Sequence, residues 1–117
     1  MEKFLITLPL TGEYLTTVRL TTGGLCALVG FNVDETEDFK VCVTESLLIL
    51  KRNGYATANI EFTVGEALGC KVIGVGARGE KVDAFEDGIS SALLSALIGN
   101  VEFTKEQDVV TGVVFEG

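Results

Sequence analysis

The tightest constraint in this sequence is a helical stretch over residues ~35–53 that is apolar on two sides. Phe39, Cys42, Val43, Leu47 and Leu50 make one apolar face, and Val41, Leu48 and Ile49 make a second. A helix of that kind must be covered on both sides, so it belongs inside a fold rather than at its margin. Its ends are marked as well. Asp34 is the expected N-cap, Glu35, Glu37 and Asp38 suit the positive end of the dipole, and Lys51 and Arg52 suit the negative end. Gly54 ends the helix.

The covering elements are readable on either side of it. Residues ~3–9 form a strand stopped by Pro9, Thr11 and Gly12. Residues ~13–29 form a helix with Leu15, Val18, Leu25, Leu28 and Val29 as its apolar stripe and Gly30 as its C-cap. Gly23 and Gly24 interrupt that pattern at a cost of about 1 kcal/mol each against alanine, which fits a close helix approach. Residues ~55–64 alternate, with Thr57, Asn59, Glu61 and Thr63 on a polar side and Ala56, Ala58, Ile60, Phe62 and Val64 facing the core. Gly65-Glu66 turns that strand into a hairpin with a second at ~68–76. A third helix at ~84–98 places Ile89, Leu93, Ala96 and Leu97 inward. Strands at ~100–105 and ~108–115 flank a turn at Lys105-Glu106-Gln107. The order is βααββαββ, and its consecutive hairpins predict an α+β fold: a mostly antiparallel sheet with helices on one face. The 117 residues read as one domain, 1–117, with no repeat or linker.

Composition excludes several functions. Nine Lys and Arg against 17 Asp and Glu give a formal charge of −8, a poor match to nucleic acid or an anionic membrane. The charge is compatible with a basic protein partner, although acidity alone more often serves solubility. There is no histidine, which removes Ser-His-Asp and Cys-His catalysis, a phospho-accepting histidine and the commonest ligand of catalytic metals. Cys26, Cys42 and Cys70 are widely spaced among apolar neighbours and read as buried small hydrophobes in a reducing compartment, with no metal site. No signal peptide or membrane-length apolar run is visible, so a cytoplasmic location is expected.

Three motifs bear on chemistry. Gly74-Val75-Gly76-Ala77-Arg78-Gly79 matches the G-x-G-x-x-G pattern, with Glu102 downstream. The polar run Glu80-Lys81-Val82-Asp83 does not continue as a helix, and a hairpin precedes the strand, so a plain glycine-rich loop is the better reading. Glu45 lies on the two-sided helix near Val41, Leu48, Ile49 and Arg52; a carboxylate there could be a general base, but by spacing alone a solvated or Arg52-facing carboxylate is the better reading. Thr44, Ser46, Ser90, Ser91 and Ser95 lack an activating group at a diagnostic spacing.

Arg19-Leu20-Thr21, Gly24, Gly30-Phe31 and the run from Asp34 through Phe39-Lys40 to Thr44-Glu45-Ser46 resemble the first two helices of the anti-sigma-factor serine/threonine kinases of bacterial sporulation and stress control. These belong to the GHKL (histidine-kinase-like) ATPase superfamily. Tyr55 falls where that family places a tyrosine, and the compact members share the element order. The resemblance is specific over residues ~19–55. It implies a compact sandwich, ATP and magnesium as cofactors, and Glu45 as the base of phosphoryl transfer. It also implies an asparagine magnesium ligand four residues later, where this chain has Ile49, which offers no oxygen. Asn53, one turn further, is at most a poor substitute.

The other family motifs are reduced too. No carboxylate stands at the adenine-reading position before Gly76-Ala77-Arg78-Gly79, and Glu80 comes too late. The phosphate-gripping turn is reduced to Asp87-Gly88-Ile89-Ser90-Ser91, where Asp87 would repel a phosphate. About ten residues join Gly76 to Asp87, too few for an ATP lid. The expected function is therefore regulation by protein binding with little or no ATP use, Glu45 being a relic base. Arg19, Leu20, Thr21, Gly23 and Gly24 match the region that supplies the family's dimer and sigma-factor contacts. A sigma factor or an anti-anti-sigma protein is the implied partner, and a homodimer is left open. The alternatives are an active kinase whose divergent pocket is lined by Glu45, Asn53, Gly74, Gly76, Gly79 and Gly88, and a small-molecule sensor with a cavity between Ile49 and Arg78.

Overall fold

The two-sided helix is the centre of the molecule. In the computed structural model, which describes residues 1–82 and 84–117, the order is β1 (Glu2–Pro9), α1 (Gly12–Leu28), α2 (Val33–Arg52), β2 (Thr57–Val64), β3 (Leu68–Val75), α3 (Ala84–Ile98), β4 (Val101–Glu106) and β5 (Val109–Glu116). The five strands form one antiparallel sheet in the order β1-β2-β3-β5-β4. Helix α2 lies over β2, β3 and β5, with α1 on one flank and α3 on the other. Its Phe39, Cys42, Val43, Leu47, Ile49 and Leu50 are all buried. The fold is the α+β sandwich predicted from the sequence.

The alternation in β2 sets the register of the sheet. Ala58, Ile60 and Phe62 are fully buried and meet Val72 and Cys70 of β3 in register. Beside β3, Val113 and Phe115 continue the covered face. A one-residue slip would turn each of these side chains to solvent. Phe39 joins helix and sheet, its ring 5.8 Å from that of Phe31 and 5.2 Å from that of Phe115. Among the described residues no helix is long and apolar enough to cross a membrane.

Several local expectations need correcting. The N-cap of α2 is Asn32, not Asp34: Asn32 Oδ1 accepts from the Glu35 N–H at 2.8 Å and Glu35 Oε1 accepts from the Asn32 N–H at 2.9 Å, a capping box that places Asp34 inside the first turn. Gly30 (φ +80°) follows the cap residue Val29, and the Gly30 and Phe31 N–H groups close α1 on the Ala27 and Cys26 carbonyls. Leu28 is exposed instead of joining the apolar stripe. Helix α3 is rotated from its expected facing. Ser90 and Leu94 are buried and Leu97 and Ile98 pack on the core, whereas Ile89 and Ala96 are exposed and Leu93 is half-buried. The last hairpin turns at Gln107 and Asp108 (φ 48° and 67°), later than expected, because two consecutive left-handed residues match the twist of the strands.

All three cysteines are buried and free. Burial raises each thiol above its ordinary range, and Cys42, next to Asp38 and Glu45, reaches about 11. The native state thus holds these protons more tightly than the unfolded chain does. Their contribution is complete below pH 9 and is lost as pH rises towards 11, so unfolding free energy should fall across that window. A flat stability profile in urea titrations from pH 8 to 11 would contradict this. The capping box gives a second expectation. Asn32→Ala should lower stability by about 1 kcal/mol and Asp34→Ala by clearly less, read by urea denaturation.

Candidate functional site

Residues three and four apart on a helix are neighbours, so Glu45, Ile49, Arg52 and Asn53 run along one side of α2. That side faces α3, where Asp87 and Ser90 sit above Leu94 and Leu97 on the packed stripe, and it also reaches β5. The polar groups meet there in a continuous network. Asn53 is fully buried; its Nδ2 donates to Asp87 Oδ2 and to the Ile49 carbonyl, both at 2.7 Å, and its Oδ1 accepts from the Val110 N–H at 3.0 Å. Arg52 Nε donates to Asp87 Oδ1 at 2.6 Å, with the two side chains 14% and 13% exposed. The Arg52 guanidinium also donates to Ser90 Oγ, and Ser90 Oγ donates to Glu45 Oε1 at 3.1 Å. Among the described residues no buried side-chain polar atom lacks a partner.

The network decides what the site can do. Glu45, the expected base, is half-buried, and its Oε1 accepts from the hydroxyl of Ser90, which is itself 2% exposed. Ile49 is 1% exposed and belongs to the core. Asn53 has both its amide and its carbonyl oxygen engaged within the protein and is fully buried. Asp87 accepts from both Arg52 and Asn53, so a carboxylate of the chain occupies the cationic group that a phosphate would seek. No group of three or more metal-ligating side chains occurs among the described residues.

The glycine-rich segment is structural. The Gly79 N–H donates to the Gly54 carbonyl at 2.8 Å, the Val82 N–H to the Arg52 carbonyl at 2.7 Å, and Arg78 Nη1 to the Asn53 carbonyl at 3.2 Å. The loop thus supplies donors for the carbonyls at the end of α2 that have no partner within the helix. Gly74 is required by packing: a Cβ there would lie 2.4 Å from the Tyr55 ring. Gly76 takes φ +83°, and no helix opens within the glycines, since α3 starts at Ala84. Gly88 lies inside α3 beyond its first turn, where N–H groups are committed to the helix.

Two cavities flank the network. One, about 240 Å³, is lined by Ile49, Lys81, Asp87, Gly88, Lys105 and Asp108, among others. The second, about 510 Å³, lies between Tyr55, Arg78, Gln107 and Thr111. Ile49 and Arg78 therefore line different cavities, and Glu45 lines neither. Neither of these two cavities is the expected sensor pocket lined by both Ile49 and Arg78.

The residues expected to bind a partner lie on α1. Arg19, Leu20 and Gly24 are exposed, Leu20 at 73%, and Thr21 and Gly23 are half-buried. Gly23 admits the Lys40 side chain, since a Cβ would lie 2.9 Å from Lys40 Cε, whereas Gly24 faces open space. Close helix approach thus explains one glycine of the pair.

Arg52, Asp87 and Ser90 were not assembled as a site by the sequence, which read them as a dipole partner, a phosphate repeller and a hydroxyl without an activator. The available signal was Asp87 and Ser90 preceding Leu94 and Leu97 on one helical stripe. Removing Asp87 would take away the carboxylate that Arg52 Nε and Asn53 Nδ2 share in a largely buried setting. Asp87→Ala should cost about 3 kcal/mol in chemical denaturation. Glu86→Ala, whose partner contact to Arg52 is 3.8 Å at a side chain 59% exposed, should cost less than about 1 kcal/mol.

No family profile matches the chain. It is similar to serine-protein kinase RsbW of Bacillus mycoides (strain KBAB4) and of Bacillus cereus (strain B4264), each 30% identical over 63 residues, 54% of this chain and 39% of the relative. The same-named protein of Bacillus thuringiensis (strain Al Hakam) is 32% identical over 54 residues, 46% of this chain and 34% of the relative. The matches thus span less than two-fifths of the relatives' length. Over about half its residues, this α+β chain is similar to serine-protein kinase RsbW.

Proposed function

We propose that this chain is a regulator of the anti-sigma-factor type that acts by binding a protein and uses little or no ATP. One observation carries the proposal. At the end of α2, where a nucleotide-using relative needs a magnesium ligand and free cationic groups, Ile49 is in the core and Asp87 engages both Arg52 and Asn53. Phosphoryl transfer depends on positioning and charge neutralisation, and these groups are already committed to one another. The likeness to RsbW supports the regulatory half.

A sigma factor or an anti-anti-sigma protein is the proposed partner, met in the cytoplasm through the exposed part of α1 around Arg19 and Leu20. Gly24 adds open, side-chain-free surface there, and Gly23 sets the spacing to α2. A homodimer belongs to the same proposal. The competing reading is an active serine/threonine protein kinase with a divergent pocket. It is favoured by Lys81 and Lys105 beside Gly88 in the cavity of about 240 Å³, and it requires the Arg52–Asp87 pair to open.

Calorimetric titration with ATP and magnesium separates the two. The proposal expects no binding tighter than about 1 mM, a free energy of about −4 kcal/mol. Magnesium-dependent binding in the micromolar range would establish the competing reading. Partner binding has its own test: Leu20→Glu should weaken a sigma-factor complex at least tenfold, about 1.4 kcal/mol, while leaving the fold intact by circular dichroism.

A further inference from the structure

Two structural demands meet at the end of α2 in one dipeptide. Asn53 is the residue whose amide and carbonyl oxygen join α2 to Asp87 and to the Val110 N–H. The next position calls for glycine: Gly54 takes φ +101°, and a Cβ there would run into the Gly79 carbonyl. The fold therefore places a glycine directly after a structural asparagine. Such a pair is chemically labile, because the glycine nitrogen has no side chain beside it to shield it from the asparagine. Asn32, Asn59 and Asn100 precede Val33, Ile60 and Val101, whose branched side chains crowd that nitrogen.

The reaction open to the pair is internal. The Gly54 nitrogen attacks Asn53 Cγ, the new N–Cγ bond closes a cyclic imide, and the Cγ–Nδ2 bond breaks. Nδ2 leaves as ammonia with the proton given up by the Gly54 N–H. Water then opens the imide at either carbonyl, leaving aspartate or isoaspartate at position 53. The folded arrangement blocks the first step. Asn53 is fully buried, its Nδ2 donates to Asp87 Oδ2 and to the Ile49 carbonyl, both at 2.7 Å, and the Gly54 N–H donates to the Lys51 carbonyl at 3.0 Å. Turning Cγ onto the Gly54 nitrogen moves Nδ2 and Oδ1 off their partners, so the joint has to open before the pair can react.

We infer that Asn53-Gly54 is a self-modification site gated by this joint: it stays inert while Asp87 holds the amide, and it converts when the end of α2 opens. Conversion runs one way. A carboxylate at position 53 has no N–H to give, so both donations from Nδ2 are lost and two carboxylates face each other across the former hydrogen bond to Asp87. Isoaspartate also adds a carbon to the backbone where Gly54 lies against Gly79. A joint that has opened and reacted does not close again, so the chain keeps a covalent record of its own opening. The rate follows the population of the open form. None of this depends on whether the chain binds ATP.

Peptide mass spectrometry on the full chain, aged in mildly alkaline buffer with and without denaturing urea, tests this residue by residue. In urea, Asn53 should show the amide-to-acid mass change about tenfold faster than Asn59 or Asn100. In the folded chain it should convert at least about tenfold more slowly than in urea, and Asp87→Ala should raise that folded rate by about tenfold or more. If Asp87→Ala does not fold, Asp87→Asn, which keeps an acceptor for Nδ2, should give a rate between those of the folded and the urea-treated wild type. Asn53→Asp, which carries the product side chain, should lose protection of the Val110 N–H in hydrogen exchange. Equal rates at the three asparagines in urea, or conversion of the folded chain at the urea rate, would overturn the inference. So would a folded Asp87 variant that converts as slowly as wild type, or a Val110 N–H that stays protected in Asn53→Asp.

Discussion

The rest of the molecule depends on how the carbonyl end of α2 is satisfied inside the protein. A helix that runs into a packed interior leaves its last carbonyls without partners, and each one left bare is costly. Asn53 sits at that end, fully buried, and ties α2 to α3 through Asp87 and to β5 through the Val110 N–H. The loop after β3 supplies the remaining donors from Gly79, Val82 and Arg78. Three separate parts of the chain are therefore fixed to one helix terminus.

The same joint accounts for the site's chemistry. An arginine and an asparagine at the end of a helix would suit an anion, but here Asp87 answers both of them. Breaking such a largely buried pair leaves a charge without its partner, so an incoming phosphate would have to compensate for the carboxylate it displaces. Ser90 extends the network to Glu45, whose Oε1 accepts from its hydroxyl. The likeness to RsbW therefore coexists with a terminus of α2 engaged by the chain's own side chains.

Much of the fold was legible in the sequence because it rests on periodicity. The two apolar sides of α2 placed that helix at the centre, and the alternation through Ala58, Ile60 and Phe62 fixed which side of β2 is covered. The facing of α3 was not legible. Its residues from Gly88 onward are nearly all apolar or small, so hydrophobicity alone does not choose a side, and the choice falls to Asp87 and Ser90 meeting Arg52. Asn32 was missed as a cap because Asp34 offered a similar oxygen two residues later, and only the reciprocal bond from Glu35 separates them. At the site, Ile49 was readable as part of the second apolar side of α2. The internal ion pair was not, because it joins residues 35 apart whose meeting depends on helix packing.

The central claim is that the end of α2 is closed by the chain's own side chains. Hydrogen exchange at the Val110 N–H, followed by NMR with and without ATP and magnesium, tests it most directly, since that proton is held by Asn53. The account predicts exchange only by global unfolding, at a rate and chemical shift that ATP leaves unchanged. Fast exchange, or a Val110 resonance that moves with added nucleotide, would contradict it.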